Sequence, residues 1–414
     1  MEAMDMRKIK GQQIAASCRI VKTDKGWQVP SQSGHGTYLV YTESLLSKPK
    51  CTCPDHESRG VICKHIYAVE LTLKKEIDVD GNTTITQTKK ITYSQDWKAY
   101  DQAKTKERLL FLELLNDLCK GLSNPEYKFG RPTLPVSDMA FASALKVYST
   151  FSLRRFTGDM EIAKERGYID QVPCFSAVGH FIQREDLTPV LLELILKSAL
   201  PLKEVEHDFA VDSSGFSTCR FDRWFSFKWG REISSRIWIK AHLINGVKTH
   251  IVTGIKITEA YANDSPQFPE LVSATAENFQ INEVSADKEY SSRKNFEVVS
   301  SLGGTAFIPF KSNATDKQRG SPIWSKMYHY FMYNKEMFLE HYHKRSNVET
   351  VFHMIKAKFG DSIRSKTKTA QVNEVLLKIL CHNICVVIQE MFELGIQPNF
   401  CNQNLACLPS NEKA

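Results

Sequence analysis

Residues 341–360 read HYHKRSNVETVFHMIKAKFG, and the spacing Tyr342-x2-Arg345-x3-Glu349-x6-Lys356 inside them decides how the rest of the chain is read. The stretch predicts a helix. At about 100° per residue, Arg345, Glu349 and Lys356 fall at about −60°, −20° and −40° from Tyr342. One phenol, one carboxylate and two cations therefore share a face, while Val348, Val351 and Ile355 occupy another sector and can meet a core. A lone Glu among cations is the ordinary solvated face of a helix. Here the polar group persists along one stripe for four turns, which suits a site that holds a metal ion and a phosphate backbone together.

A helix carboxylate cannot hold a catalytic divalent ion alone, because Mg2+ takes octahedral oxygen ligands, commonly one or two carboxylates plus water and phosphate. Two upstream acids follow short apolar runs. HDFAVDSSGF (207–216) carries Phe209 to Val211 and then Asp212, and QINEVSADKEYSS (280–292) carries Ile281, Val284 and Ala286 and then Asp287. Both patterns predict strand ends. A strand-end Asp often only caps or turns the chain, but two of them together with the helical stripe form a set of three carboxylates.

Residues 207–390 resemble the catalytic domain of the DDE transposases of prokaryotic insertion sequences. The matching pieces are VDSSGF, SADKEYSS, an expected strand IPFKSN at 308–313, the Tyr342, Arg345, Glu349, Lys356 stripe, and NEVLLKILCHNICVVI at 373–388. The resemblance implies that Asp212, Asp287 and Glu349 bind two divalent ions, Mg2+ or Mn2+. One departure is Glu289, which stands where a small residue is common. The implied chemistry is in-line phosphoryl transfer. Water first cuts the element end to leave a 3′-OH, which then attacks target DNA. Arg345 would grip phosphate oxygens through its planar fork and Lys356 as a point charge. Tyr342 would donate to a phosphate oxygen or pack on a sugar.

The same span predicts an α/β, ribonuclease-H-like mixed sheet flanked by helices. The expected order is three strands, helix, strand, helix, strand, helices. Asp212 is expected at the end of a central strand, Asp287 at the end of its neighbour, and Glu349 on a covering helix. Asn245-Gly246 is a strong hairpin signal between two apolar runs. Only 61 residues separate Asp287 from Glu349, too few for a large β-rich insertion. Trp324 and the 328–333 aromatics could meet DNA bases, although such spacing usually marks a core.

The N-terminal residues 1–75 predict a separate zinc-binding β/α module. Cys51-x-Cys53-x9-Cys63-x-His65 offers three thiolates and one imidazole, a set suited to a closed tetrahedral Zn2+ site. GWQVPSQSGHGTYLVY ahead of it alternates like a hairpin, and a helix carrying His65 follows. The pattern resembles the SWIM zinc finger, with His56 as a spare loop histidine. Residues 76–100 read as a linker or weak hairpin. Residues 101–200 read as a helical DNA-binding region in which TGDMEIAKERGYIDQVPCFSAVGHFIQR has a helix-turn-helix outline, flanked by Arg154, Arg155 and Arg184. Residues 391–414 form a tail.

Net charge +7 over 414 residues mildly favours an anionic partner. The expected partners are the inverted repeats at the element ends and target DNA, with a homodimer on synapsed DNA and no membrane. MEAMDMRKIK lacks the apolar segment of a secretory signal, and VLLKILCHNICVVI is interrupted by Lys378, His382 and Asn383. The expected setting is therefore the prokaryotic cytoplasm, at the nucleoid. Eleven cysteines in such a chain read as reduced thiols or metal ligands, with Cys381 and Cys385 as buried thiols. Two rival classes remain: a domesticated DNA-binding derivative, and a metal nuclease of the same fold that never joins strands.

Overall fold

Period-two alternation builds the N-terminal sheet of the computed structural model. β1 (Val21–Thr23), β2 (Gly26–Pro30), β3 (Thr37–Tyr41) and β4 (Lys50–Cys51) pair antiparallel in that order. The register sets Trp27 opposite Val40 and Val29 opposite Tyr38. Trp27, Val29 and Val40 are buried in one small core with Ile66 and Val69 of α2 (Lys64–Thr72), which follows the short α1 (Pro54–Arg59). A further antiparallel backbone pair, β5 (Leu73–Ile77) and β6 (Thr83–Gln87), straddles the expected boundary at residue 75, with β6 in the expected linker. The structure describes residues 7–400 apart from 8–9, 12–13, 16–17, 19, 24–25, 32–35, 42–48, 78–82, 88–95, 125–128, 130–132 and 219–237, with backbone alone at 71–77 and 83–87. The chain divides into two compact units, Met1–Ser94 and Gln95–Ala414.

The second unit begins with five helices: α3 (Trp97–Lys120), α4 (Val136–Ser149), α5 (Thr157–Glu165), α6 (Phe175–Ile182) and α7 (Leu187–Ala199). The sheet follows, with β7 (Asp208–Ser217), β8 (Trp238–Gly246), β9 (Val252–Glu259), α8 (Phe268–Ala276), β10 (Glu283–Ala286), α9 (Arg293–Ser301) and β11 (Thr305–Phe307). Its order is β11-β10-β7-β8-β9. β10 pairs parallel with β7 and β11, and β8 pairs antiparallel with β7 and β9. This mixed five-strand sheet flanked by helices is the architecture expected. α10 (Pro322–Tyr333), α11 (Lys335–Tyr342), α12 (Ser346–Phe359) and α13 (Lys368–Glu393) complete the unit.

α13 is buried on every side over 373–388, and such a helix belongs at the centre of a core. By length and composition it could cross a membrane, but 83% of its apolar window is buried inside the protein. Its polar residues have fixed partners there. Asn383 Nδ2 donates to Val252 O at 2.8 Å and its Oδ1 accepts Val252 N–H at 3.0 Å, which satisfies the backbone of edge strand β9. Lys378 Nζ donates to Gly360 O and Ser362 O, both at 2.9 Å. One continuous core joins α13, helices α3 to α7 and the sheet. The 101–200 helices thus do not stand apart from residues 207–390.

Several local expectations change. β7 does not end near Asp212; it pairs with β8 as far as Ser217 opposite Trp238, because the small residues after Asp212 fit an inner strand. Asn245-Gly246 ends β8 instead of forming the turn. The buried Glu206 carboxylate accepts from Thr249 N–H, Thr249 Oγ1 and Lys248 N–H and so organises the turn after it, while Gly246 leaves room for that carboxylate. The 308–313 stretch lies beyond the three-residue β11. The helix-turn-helix outline is present as α5 and α6, but Met160, Ala163, Val178, Phe181 and Ile182 face the shared core and α6 carries no Lys or Arg. Trp324 is buried against Phe296 and Phe310, its Nε1 donating to Thr315 O at 2.8 Å. Tyr333 is exposed.

Candidate active site

β7 is the central strand, and its register places Val211 opposite Ala286 of the parallel neighbour β10. Asp287, the next residue, therefore stands level with Asp212, and residues level on neighbouring strands share a face. The Asp212 carboxyl is pushed above the usual range, first by burial, while the Ser213 N–H and Arg345 oppose that shift and the charges of Asp287 and Glu349 add to it. Asp287 Oδ1 accepts the Lys288 N–H at 2.6 Å and caps a short 3-10 turn, Lys288–Tyr290. Glu289 instead pairs with Lys311 at 3.0 Å.

The expected single helix across residues 341–360 is two helices joined by a 3-10 turn. α11 ends at Tyr342, the turn spans His343–Arg345, and α12 begins at Ser346. The turn aims two consecutive cations at the sheet. Lys344 Nζ pairs with Asp208 and Glu283, both at 2.7 Å, and Asp208 and Glu283 are themselves opposite each other in register. His341 Nδ1 also meets Glu283 at 2.9 Å. Arg345 Nη1 pairs with Asp212 Oδ2 at 2.7 Å, and its Nη2 pairs with Glu349 Oε1. The Asp212 and Arg345 side chains are 21% and 20% exposed, against 58% for Glu349, so the fork reaches from a half-covered acid to an open one.

Tyr342 lies beside this group. Burial raises its phenol, Arg345 opposes the rise, and the charges of Asp287 and Asp212 add to it. Lys356 does not project outward with the others. Its Nζ donates to Ser214 Oγ at 2.6 Å and lies 5.2 Å from the Phe216 ring centre and 5.7 Å from that of Phe352. Burial pushes its ammonium below the usual lysine range. Asp212, Ser214 and Phe216 alternate onto one face of β7, so Lys356 extends the site along the strand. Ser214 and the Lys344 cluster escaped sequence reasoning. Ser214 had one signal, its place two residues after Asp212. Asp208 and Lys344 had none, since 136 positions separate them.

The acidic set contains oxygen donors only, which fits a hard divalent ion such as Mg2+ or Mn2+. Asp212, Asp287 and Glu349 are not drawn together as closely as ligands, and the cation between Asp212 and Glu349 is Arg345 itself. Among the described residues, only Cys51, Cys53, Cys63 and His65 bring their ligand atoms within 4.8 Å of one another. β4 beside β3 carries Cys51, Cys53 caps α1, Gly60 turns the chain back at φ 64°, and Cys63 and His65 open α2. His65 Nδ1 is 3.9 Å from both Cys51 Sγ and Cys63 Sγ. Tetrahedral Zn2+ with bonds of about 2.0–2.3 Å needs ligand separations of about 3.6–3.8 Å, so the set fits zinc. Hydrogen bonding from Cys51, and then from His65, pushes the Cys63 thiol below its usual range despite its burial. His56 is turned away, its Nδ1 2.7 Å from Val61 O.

Residues 204–384 match the family described as Transposase DDE domain, and residues 39–74 match the one described as SWIM zinc finger. No solved structure matches the chain significantly. Residues 204–384 are thus similar to a DDE transposase domain, and residues 39–74 ahead of them to a SWIM zinc finger. That pairing points to DNA as partner, to DNA cleavage as the class of chemistry, and to use of divalent metal and of zinc.

Proposed function

We propose that the chain is the transposase of a prokaryotic insertion sequence, which binds the inverted repeats of its element, hydrolyses phosphodiester bonds at their ends and joins the 3′-OH ends to target DNA. One observation carries the reading: Asp212 and Asp287 stand level on adjacent parallel strands, and the Arg345 fork holds Glu349 to Asp212. When bound, two divalent ions would activate the attacking oxygen and stabilise the leaving one. Asp212, Asp287 and Glu349 would hold them. Arg345, released from the two carboxylates, then has a planar pair of donors for a phosphate. Tyr342 adds a hydroxyl beside it, and Lys356 bears on the phosphate from the Ser214 side. Two element ends and one acidic set per chain imply a homodimer on synapsed DNA. Residues 101–200 supply the end-binding surface, residues 39–74 a zinc-held contact with DNA or protein, and the cytoplasmic nucleoid is the place of action.

The test is cutting and joining of a duplex that carries the inverted repeat flanking the gene. Asp212→Asn, Asp287→Asn and Glu349→Gln should each abolish Mg2+-dependent cutting and spare binding, because an amide cannot replace a carboxylate ligand. A variant that still cuts at the wild-type rate removes its residue from the set. Cutting without any joined product would make the protein a nuclease. Binding without cutting by the wild type would make it a derived DNA-binding protein.

A further inference from the structure

A groove of about 1170 Å3 opens where β7 ends, at Thr218, between the 150–155 and 363–367 segments and the start of α13. Lys146, Arg155, Arg364 and Lys366 line it, against a single acid, Glu374. That acid is already engaged: its oxygens accept the Arg364 and Ser365 N–H groups at 2.8–3.1 Å. Arg364 Nη1 donates to Thr150 O at 2.7 Å and so braces one wall. Thr150 itself has φ 57°, a left-handed conformation that a β-branched residue rarely takes, and such strain gathers at functional sites. Lys146 and Lys366 form no ion pair among the described residues. The Lys146 ammonium is held below its usual range by burial and then by Arg364, while the Glu374 charge opposes the shift.

The groove is continuous with the acidic site through one strand. Ser217 bridges to Ser362, and Ile363 N–H donates to Ser217 O at 2.8 Å, so the groove wall is stitched to the end of β7. Along that strand Arg345 stands at Asp212 and Lys356 at Ser214, while Phe216 and Lys378 beyond them are buried and the Lys378 ammonium is committed to Gly360 O and Ser362 O. The six steps from Asp212 to Thr218 cover about 20 Å at about 3.3 Å per residue. Duplex DNA advances about 3.4 Å per base-pair step. Cations stand at both ends of this span, Arg345 and Lys356 at one and Lys146, Arg155, Arg364 and Lys366 at the other, and two separated cationic points match a polymer of phosphates better than a lone anion.

We propose that this groove holds the DNA backbone about six base-pair steps from the phosphate cut at Asp212, with Lys146 and Lys366 as its phosphate contacts. The proposal rests on reading the acidic site as DNA-cleaving. The probe is the duplex carrying the flanking inverted repeat, with one phosphate at a time replaced by uncharged methylphosphonate. Wild-type affinity should fall at about the sixth step from the cut. Lys146→Gln/Lys366→Gln should bind natural duplex about tenfold more weakly, be indifferent to methylphosphonate at that step, and show a salt slope smaller by about two. Cutting by the wild type in Mg2+ reads the acidic site alone. Absent cutting with this affinity pattern intact would sink the nuclease reading and keep the groove. A flat methylphosphonate profile in the wild type, or unchanged affinity and salt slope in a folded double variant, would overturn the groove. The profile is read on the wild-type protein, so it decides even if the variant fails to fold.

Discussion

A guanidinium can neutralise two carboxylates at once only if each of its edges faces one, and Arg345 is placed that way between Asp212 and Glu349. An ion pair between Arg345 and Glu349 alone would be an ordinary exposed contact one helical turn apart, contributing about 0.3–0.5 kcal/mol. The second pair changes the expectation, because Asp212 is half-covered and its charge is already opposed by Asp287. Arg345→Ala should therefore lower the stability of the metal-free protein by about 1–2 kcal/mol, and Mg2+ or Mn2+ should restore it. Arg345→Lys keeps one charge and loses the fork, so cutting should drop at least about tenfold. Thermal melts with and without Mg2+, beside initial cutting rates, read both effects. A melt indifferent to Mg2+ in Arg345→Ala would show that the guanidinium does not occupy the place of a cation.

Among the elements, α13 carries the heaviest constraint, because the polar side chains buried along it must find partners in the core. Asn383 does so against β9 and Lys378 against the chain beyond α12. Glu390 is different. It is buried near the helix end, and burial first, then the charges of Glu393 and Glu206, push its carboxyl up to about 7. A carboxyl whose folded value is raised adds stability below its unfolded value, about 4.3. That contribution is lost as pH rises through about 7. Glu390→Gln should match the wild type near pH 5 and exceed it by roughly 1–3 kcal/mol near pH 8. Denaturant titrations at the two pH values check this. Equal stabilities at pH 8 would mean that Glu390 ionises there without penalty.

For the whole molecule, the two compact units make a divided response to metal the expected behaviour. The N-terminal core is small, and Cys51, Cys53 and Cys63 are part of it, so a zinc ion held by them would couple its binding to the folding of that unit. The purified chain should contain about one zinc. Cys63→Ser should lose that zinc and the melting transition of residues 1–94, and leave the transition of residues 95–414 in place. Loss of both transitions together would show that the second unit depends on the first. The shared core of α3 to α7, α13 and the sheet gives the second expectation at this scale: residues 95–414 should unfold as one unit.

The alternation of the N-terminal hairpin and the C-x-C, C-x-H spacing are local patterns, and local patterns were enough to single out Cys51, Cys53, Cys63 and His65, which the structure brings together, and the succession of strands and helices along 207–390. Periodicity also showed which side of 341–360 meets the core, because Val348, Val351 and Ile355 mark it without reference to any other segment. Partners across the fold were another matter. Arg345 meets Asp212 across 133 positions and Lys356 meets Ser214 across 142, and nothing in either neighbourhood names the other. The same holds for Lys344 between Asp208 and Glu283, and for the break of the helix at 343–345 that aims Lys344 and Arg345 at the sheet. The sequence by itself determined which residues could do chemistry. Only the tertiary structure decided that Lys356 turns inward, that the 101–200 helices share one core with the five-strand sheet, and that a cationic groove continues β7, because each depends on packing between segments far apart in the chain.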